Sequence, residues 1–301
     1  MRRRLDAVLL LDKPTGMSSN AALQIARRCF RAAKAGHGGT LDPLASGLLP
    51  VLFGDATKFS GAMLDAGKVY RTTLALGART DTGDAEGRVI AQRPVDFDDA
   101  ALARALETFR GDIEQVPPMH SALKKDGKPL YLLARRGIEV PRQPRRVRIE
   151  RLDLLRRGPA ELEIEVACSK GTYIRTLADD LGELLGCGAH LTALRRNAVG
   201  AFSVAEAWTL GRLEVLSEAE RDRALLPVDR LLEGLEAVSL DVAAAGRFRH
   251  GQAVATRAAG AGLRRVYASA GDFLGLGELT EGGTIRPMRL VADVAQAADN
   301  H

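Results

Sequence analysis

The residues best suited to chemistry lie in the run Gly36-His37-Gly38-Gly39-Thr40-Leu41-Asp42-Pro43-Leu44-Ala45-Ser46-Gly47. Four glycines, one histidine and one acid share these twelve positions. Glycine tolerates positive φ and lets a backbone approach a ligand closely. A carboxylate held in such a loop, Asp42, can attack covalently or serve as a base. The same Asp42, with Pro43 next, also has the form of a helix N-cap followed by proline at the first helical position.

Two further candidates lie far away in the chain. Arg175 follows Ser169-Lys170-Gly171-Thr172-Tyr173-Ile174 and falls in the first turn of a predicted helix. On an exposed face it would pair with Asp179 at i,i+4, worth about 0.3–0.5 kcal/mol. A cation at a helix N-terminus opposes the macrodipole, so the position asks for another partner. Tyr70 lies in Lys68–Gly77, whose two-residue period puts it on one face with Thr72, Leu74 and Leu76. It is either a core tyrosine or a ring lining a cleft. The acids of Arg79–Gly87 are spaced loosely like a calcium loop but lack the EF-hand glycine and glutamate. Three cysteines without C-x-x-C spacing and five scattered histidines offer no metal site or disulfide framework. Neither G-x-x-x-x-G-K-[ST] nor G-x-G-x-x-G occurs, so no nucleotide cofactor is expected.

The elements that would position these residues alternate between strand and helix. Ala7–Leu11 and Glu161–Val166 read as strands, 20–33 and 98–109 as helices, and a third helix opens near Ile174 with Leu177, Leu181 and Leu184 on its buried stripe. Past Leu235 the pattern changes to short strands between glycines, at 237–240, 262–269 and 273–279. The 301 residues carry a net charge of +5, which favours a polyanionic partner. Nine arginines between Arg135 and Arg157 suggest a surface for a phosphate backbone, with a solvated strand pair as the alternative. No apolar run approaches a membrane span, and no targeting peptide is indicated, which fits a cytoplasmic protein.

Taken together, Leu11–Ser19 (Leu-Asp-Lys-Pro-Thr-Gly-Met-Ser-Ser), Gly38–Gly47, Gly54–Phe59, Lys68-Val69-Tyr70, Thr80–Asp84, Ser169–Thr176 and Gly188–Arg196 resemble the bacterial tRNA pseudouridine-55 synthases of the TruB family. The resemblance runs through the first three-quarters of the chain. Phe248–Val254 adds a weaker likeness to the start of a PUA-type RNA-binding barrel. It implies an α+β fold: a catalytic domain over 1–235 with a central mixed, mainly antiparallel sheet flanked by helices, then a PUA-like β-barrel over 236–295 and a frayed tail at 296–301. It implies that Asp42 is the catalytic aspartate, that Arg175 pairs with it, and that Tyr70 stacks on the target base. It also implies that Tyr173 and Leu194 wall the uracil, that His37 enters the T-loop, and that Lys58 contacts phosphate or supports the site. Lys13 is expected to buttress the Asp42 loop, and Asp84 to help hold Arg175. The family more often has tyrosine where His120 stands. The implied partner is the T-stem-loop of tRNA, bound by a monomer without cofactor or metal. A guide-RNA-dependent synthase, a non-catalytic RNA chaperone and a base-excising glycosidase, with Asp84 as its second carboxylate, are the alternatives.

Overall fold

A computed structural model describes residues 2–292, except 122, 126 and 135. The architecture follows from strands of two kinds. β1 (Ala7–Lys13) and β3 (Ser46–Phe53) are apolar almost throughout and buried on both faces, as expected of central strands. β2 (Ala35–His37) pairs antiparallel with β3. β4 (Lys68–Leu76), β5 (Gly111–Gln115), β6 (Arg145–Arg157), β7 (Glu161–Cys168) and β8 (Ala189–Val199) complete the frame. β7 alternates between buried and half-buried residues along its whole length. One of its faces meets the core, and the other shows Glu161, Glu163 and Glu165 to solvent.

These strands form one mixed sheet in the order β1-β3-β8-β4-β7-β6-β5, with Trp208–Thr209 on the outer edge of β1. Pairing is antiparallel except where β8 runs parallel to β3 and Trp208–Thr209 runs parallel to β1. The central antiparallel β7–β4–β8 ladder brings the distant segments 161–168 and 189–199 against 68–76.

Three helices cover one face. α1 (Ser19–Cys29) starts at an N-cap, Ser18, whose side chain accepts from Ala21 N. It ends four residues before the sequence pattern predicts. Arg31 turns the chain at φ +51°, the left-handed conformation that follows many helix ends. α2 (Asp99–Thr108) is capped by Asp98, and α3 (Ile174–Leu184) buries Ile174, Leu177, Ala178 and Leu181. Their apolar stripes join Leu9, Leu11, Leu49, Val51, Leu74, Ile164 and Val166 in the main core.

A second, five-stranded sheet forms a half-barrel from β9 (Ala237–Leu240), β10 (Gly262–Ala268), β11 (Phe273–Leu279), β12 (Thr284–Leu290) and the short Val254–Ala255. Phe248, where the likeness to a PUA-type barrel begins, lies at the end of a helix, α4 (Val242–Arg249). Asp241 caps it, and Ala244, Ala245 and Phe248 plug the half-barrel core. The tail at 296–301 lies outside the described residues.

Candidate active site

Asp42 caps nothing. Residues 40–45 are irregular, and the next element is β3. The loop is held from both sides instead. Ser19 Oγ, at the start of α1, accepts from Leu41 N at 2.7 Å and donates to Leu41 O at 2.9 Å. Gly16 N donates to Pro43 O at 2.8 Å. Lys13 is fully buried at the end of β1, and its ammonium donates to Pro14 O and Met17 O at 2.8 and 2.7 Å. That makes it a brace for the 14–17 turn on which the loop leans, the buttress its place in the sequence suggests. Burial pushes Lys13 down to about 8, opposed by the nearby charge of Asp42.

α3 delivers the counter-charge. Arg175 Nη2 lies 2.9 Å from Asp42 Oδ2. The Arg175 side chain is only 6% exposed whereas that of Asp42 is 40% exposed, so the carboxylate opens to the surface from a covered cation. The guanidinium is fixed by three more acceptors: Thr82 O at 3.1 Å, His120 O at 2.7 Å and Asp84 Oδ2 at 3.7 Å. Asp84 is buried and also accepts from Thr82 Oγ1 at 2.6 Å and Glu86 N at 3.1 Å. It therefore orients Arg175 and has no open side from which to activate water. His120 contributes its carbonyl to Arg175. Asp179, the helical alternative for pairing Arg175, is taken by Arg79 in a two-pronged contact of 2.7 and 2.8 Å.

Around this pair stand two tyrosines. Burial pushes both phenols above their usual range, and the charge of Asp42 acts on both in the same direction. Tyr70 comes from β4. Tyr173 immediately precedes α3, where Gln115 clamps its backbone by accepting from Tyr173 N at 3.0 Å and donating to Tyr173 O at 3.2 Å. Leu194, opposite Thr72 on β8, is buried in the core that also takes Leu41, Ala45 and the Tyr70 ring. His37 is half-buried on β2, and its Nδ1 is buried without a partner. Burial, helped by Arg196, pushes His37 below its usual value, which keeps the ring neutral at pH 7.

Lys58 does not join this group. Its ammonium lies 3.0 Å from Asp55 and donates to Leu290 O at 2.9 Å. Asp55 in turn accepts from Ala292 N at 2.6 Å. The short helix carrying Lys58 packs Phe59 on Phe273, so its polar end faces the half-barrel. Lys58 is a tie between the two sheets and does not support the reacting groups as expected.

The arginine-rich stretch carries many ion pairs. Six of its nine arginines (142, 146, 148, 151, 156 and 157) form ion pairs; Arg135 lies outside the described residues. Arg151 meets Glu165 at 2.7 Å, and Arg156 meets Glu163 at 3.6 Å across the β6–β7 ladder. The two-residue period of β7 sets a row of acids opposite a row of arginines. Part of this charge is thereby paired within the sheet.

One residue of the site escaped the sequence reading. Arg196, on β8, is 1% exposed. It donates through Nε to Leu48 O at 2.8 Å and through its two terminal nitrogens to Thr40 O and Gly39 O, both at 3.3 Å. Its neighbour Arg195 points the other way and pairs with Asp12 at 2.7 Å. Strand parity alone distinguishes the two, and bulges at 191–193 and 196–198 blur that parity in the sequence.

Residues 27–174 match the model of the TruB family pseudouridylate synthase N-terminal domain. Residues 175–233 match the tRNA pseudouridylate synthase B C-terminal domain, and 237–291 match the Pseudouridine synthase II TruB C-terminal model. The chain is 56% identical over 296 residues to the tRNA pseudouridine synthase B of Aromatoleum aromaticum, covering 98% of this chain and 96% of that one. It is 56% identical over 289 residues to the protein of the same name from Dechloromonas aromatica, covering 96% of each. Among solved structures, a chain of a Cbf5-Nop10-Gar1 complex superposes with a TM-score of 0.72 at 26% identity, over 95% of this chain and 84% of that one. Fold and site thus define the class: a pseudouridine synthase, an isomerase of uridine in RNA. Within that class the chain belongs to the TruB family.

Proposed function

We propose that this enzyme converts uridine to pseudouridine at position 55, in the T-loop of tRNA. The observation that carries the reading is the 2.9 Å pair of Asp42 and Arg175, formed by segments 133 residues apart and open to the surface on the carboxylate side. The tRNA substrate is supported by the names of relatives that cover nearly the whole chain.

The reaction detaches uracil from C1′, turns it and rejoins it through C5, with no change of redox state and no energy input. The target nucleotide first leaves the stacked loop, which costs a few kcal/mol. Asp42 supplies the carboxylate, either by bonding covalently to the nucleoside or by stabilising and deprotonating the sugar. Arg175 pairs with that carboxylate and orients it, which offsets the desolvation that bound RNA imposes. Tyr70 stacks on the base, a contact worth about 1–3 kcal/mol. Tyr173 and Leu194 close the pocket so that detached uracil stays, while neutral His37 contacts the opened loop.

Purified protein incubated with unmodified tRNA transcript, without cofactor, is expected to yield pseudouridine at one T-loop position. Release of free uracil would mean excision, and tight binding without base change would mean a chaperone; either replaces the reading.

A further inference from the structure

Arg196 is a buried guanidinium that donates to three backbone carbonyls. Burying a charge is costly unless it is used. The carbonyls it takes lie on both limbs of the Asp42 loop: Gly39 and Thr40 before the aspartate, Leu48 after it. The same residue stands directly opposite Tyr70 in the β8–β4 ladder. The guanidinium lies against that phenol and opposes the effect of burial on it. The backbone is shaped to allow this. Gly47, at φ +101°, is the cross-strand partner of Arg196, and a Cβ there would stand 2.3 Å from Arg196 O. Gly39 takes φ +128° so that its carbonyl meets the guanidinium. One rigid fork therefore touches the loop that carries the carboxylate and the ring set to receive the base.

We propose that Arg196 is a positioning residue that fixes Asp42 relative to Tyr70. The inference rests on the pseudouridine-forming reading of the site. Arg196 itself is too deeply covered to touch RNA and acts through the two groups it holds. Lysine would keep the charge but lacks the planar fork, so it cannot serve three separated carbonyls at once. A displacement near 1 Å between reacting groups lowers a rate by about 100-fold.

The test compares wild type with Arg196→Lys under single-turnover conditions at saturating tRNA transcript. The expected result is a chemical step slowed about 10- to 100-fold with tRNA Kd within about twofold. Arg196→Ala, if folded by circular dichroism, should be rescued in part by guanidinium chloride at millimolar concentration and not by sodium chloride of equal ionic strength. A readout independent of turnover is the Tyr70 ring-carbon resonance in tyrosine-labelled protein, assigned with Tyr70→Phe. It should move in Arg196→Lys without RNA. An unchanged single-turnover rate, or an unmoved Tyr70 resonance, overturns the proposal. So does a rate loss that merely follows a melting point brought down to the assay temperature. Wild-type turnover measured in parallel reports on the underlying activity, so loss of that reading is seen separately.

Discussion

At the scale of single residues, the site separates an open carboxylate from a closed one. Asp42 is the open carboxylate, and Asp84 is the closed one that faces the same guanidinium. Asp42→Asn is therefore expected to reduce pseudouridine formation below detection while tRNA affinity stays within about threefold, because the amide keeps the size and loses the reacting group. Gel-shift titration beside a turnover assay checks both halves; turnover at the wild-type rate would remove Asp42 from the chemistry. A second titratable group bears on stability alone. Asp180, half-buried on α3 beside Asp179, is pushed up to about 6, mainly by burial. Between its ordinary value near 3.8 and about 6 the folded protein binds more protons than the unfolded chain. The contribution of this group is thus favourable at low pH and is lost as pH rises through 6. Asp180→Asn should raise the denaturation midpoint at pH 7.5 relative to wild type, and the gain should vanish at pH 4. A gain of equal size at both pH values would show that burial does not set the titration of Asp180.

At the scale of elements, the site depends on how closely β3 approaches β8. Their parallel contact at Ser46–Gly47 and Arg195–Arg196 needs a residue without a side chain at position 47. Gly47→Ala is expected to cost about 1–3 kcal/mol, from left-handed strain and from the clash with Arg196 backbone. Because the pushed strand carries the Asp42 loop, turnover should fall further than the folded fraction does; chemical denaturation and kinetics on the same sample separate the two. The β6–β7–β4 ladder makes an opposite prediction. Arg71, Arg151 and Arg156 face Glu163, Glu165 and Glu161 across the strands. Neutralised arginines release few counterions when RNA binds. Replacing Arg151 and Arg156 by glutamine should leave the salt dependence of tRNA binding unchanged within error. A shallower slope would return this face to the RNA surface.

At the scale of the whole molecule, two sheets with separate cores meet at a seam that adjoins a third apolar cluster. Lys58, Asp55 and the 290–292 backbone form its polar part, Phe59, Phe273 and Tyr267 its aromatic part, and Tyr267 donates to Asp229 at 2.7 Å. Lys58→Met should therefore leave the chemical step on an isolated T-stem-loop within about twofold of wild type, since the residue touches the seam and not the reacting groups. A tenfold loss on that minimal substrate would place Lys58 back at the site.

Local pattern alone determined the strands with a strict period, the stripe of α3 except Leu184, which is exposed, the change of texture after Leu235 and the glycine-rich loop around Asp42, because each is written in neighbouring residues. It could not distinguish Arg195 from Arg196, or an Asp42 paired with a distant arginine from a helix cap. Nor did it show that Lys58 ties the two sheets or that arginines of β6 pair with acids of β7. Those answers depend on which segment lies across the sheet: an arginine's role follows from whether a carbonyl, an acid or open solvent meets its guanidinium. Only the folded β7–β4–β8 ladder, with α3 set against it, brings residue 175 to residue 42 and residue 196 beneath both limbs of the loop.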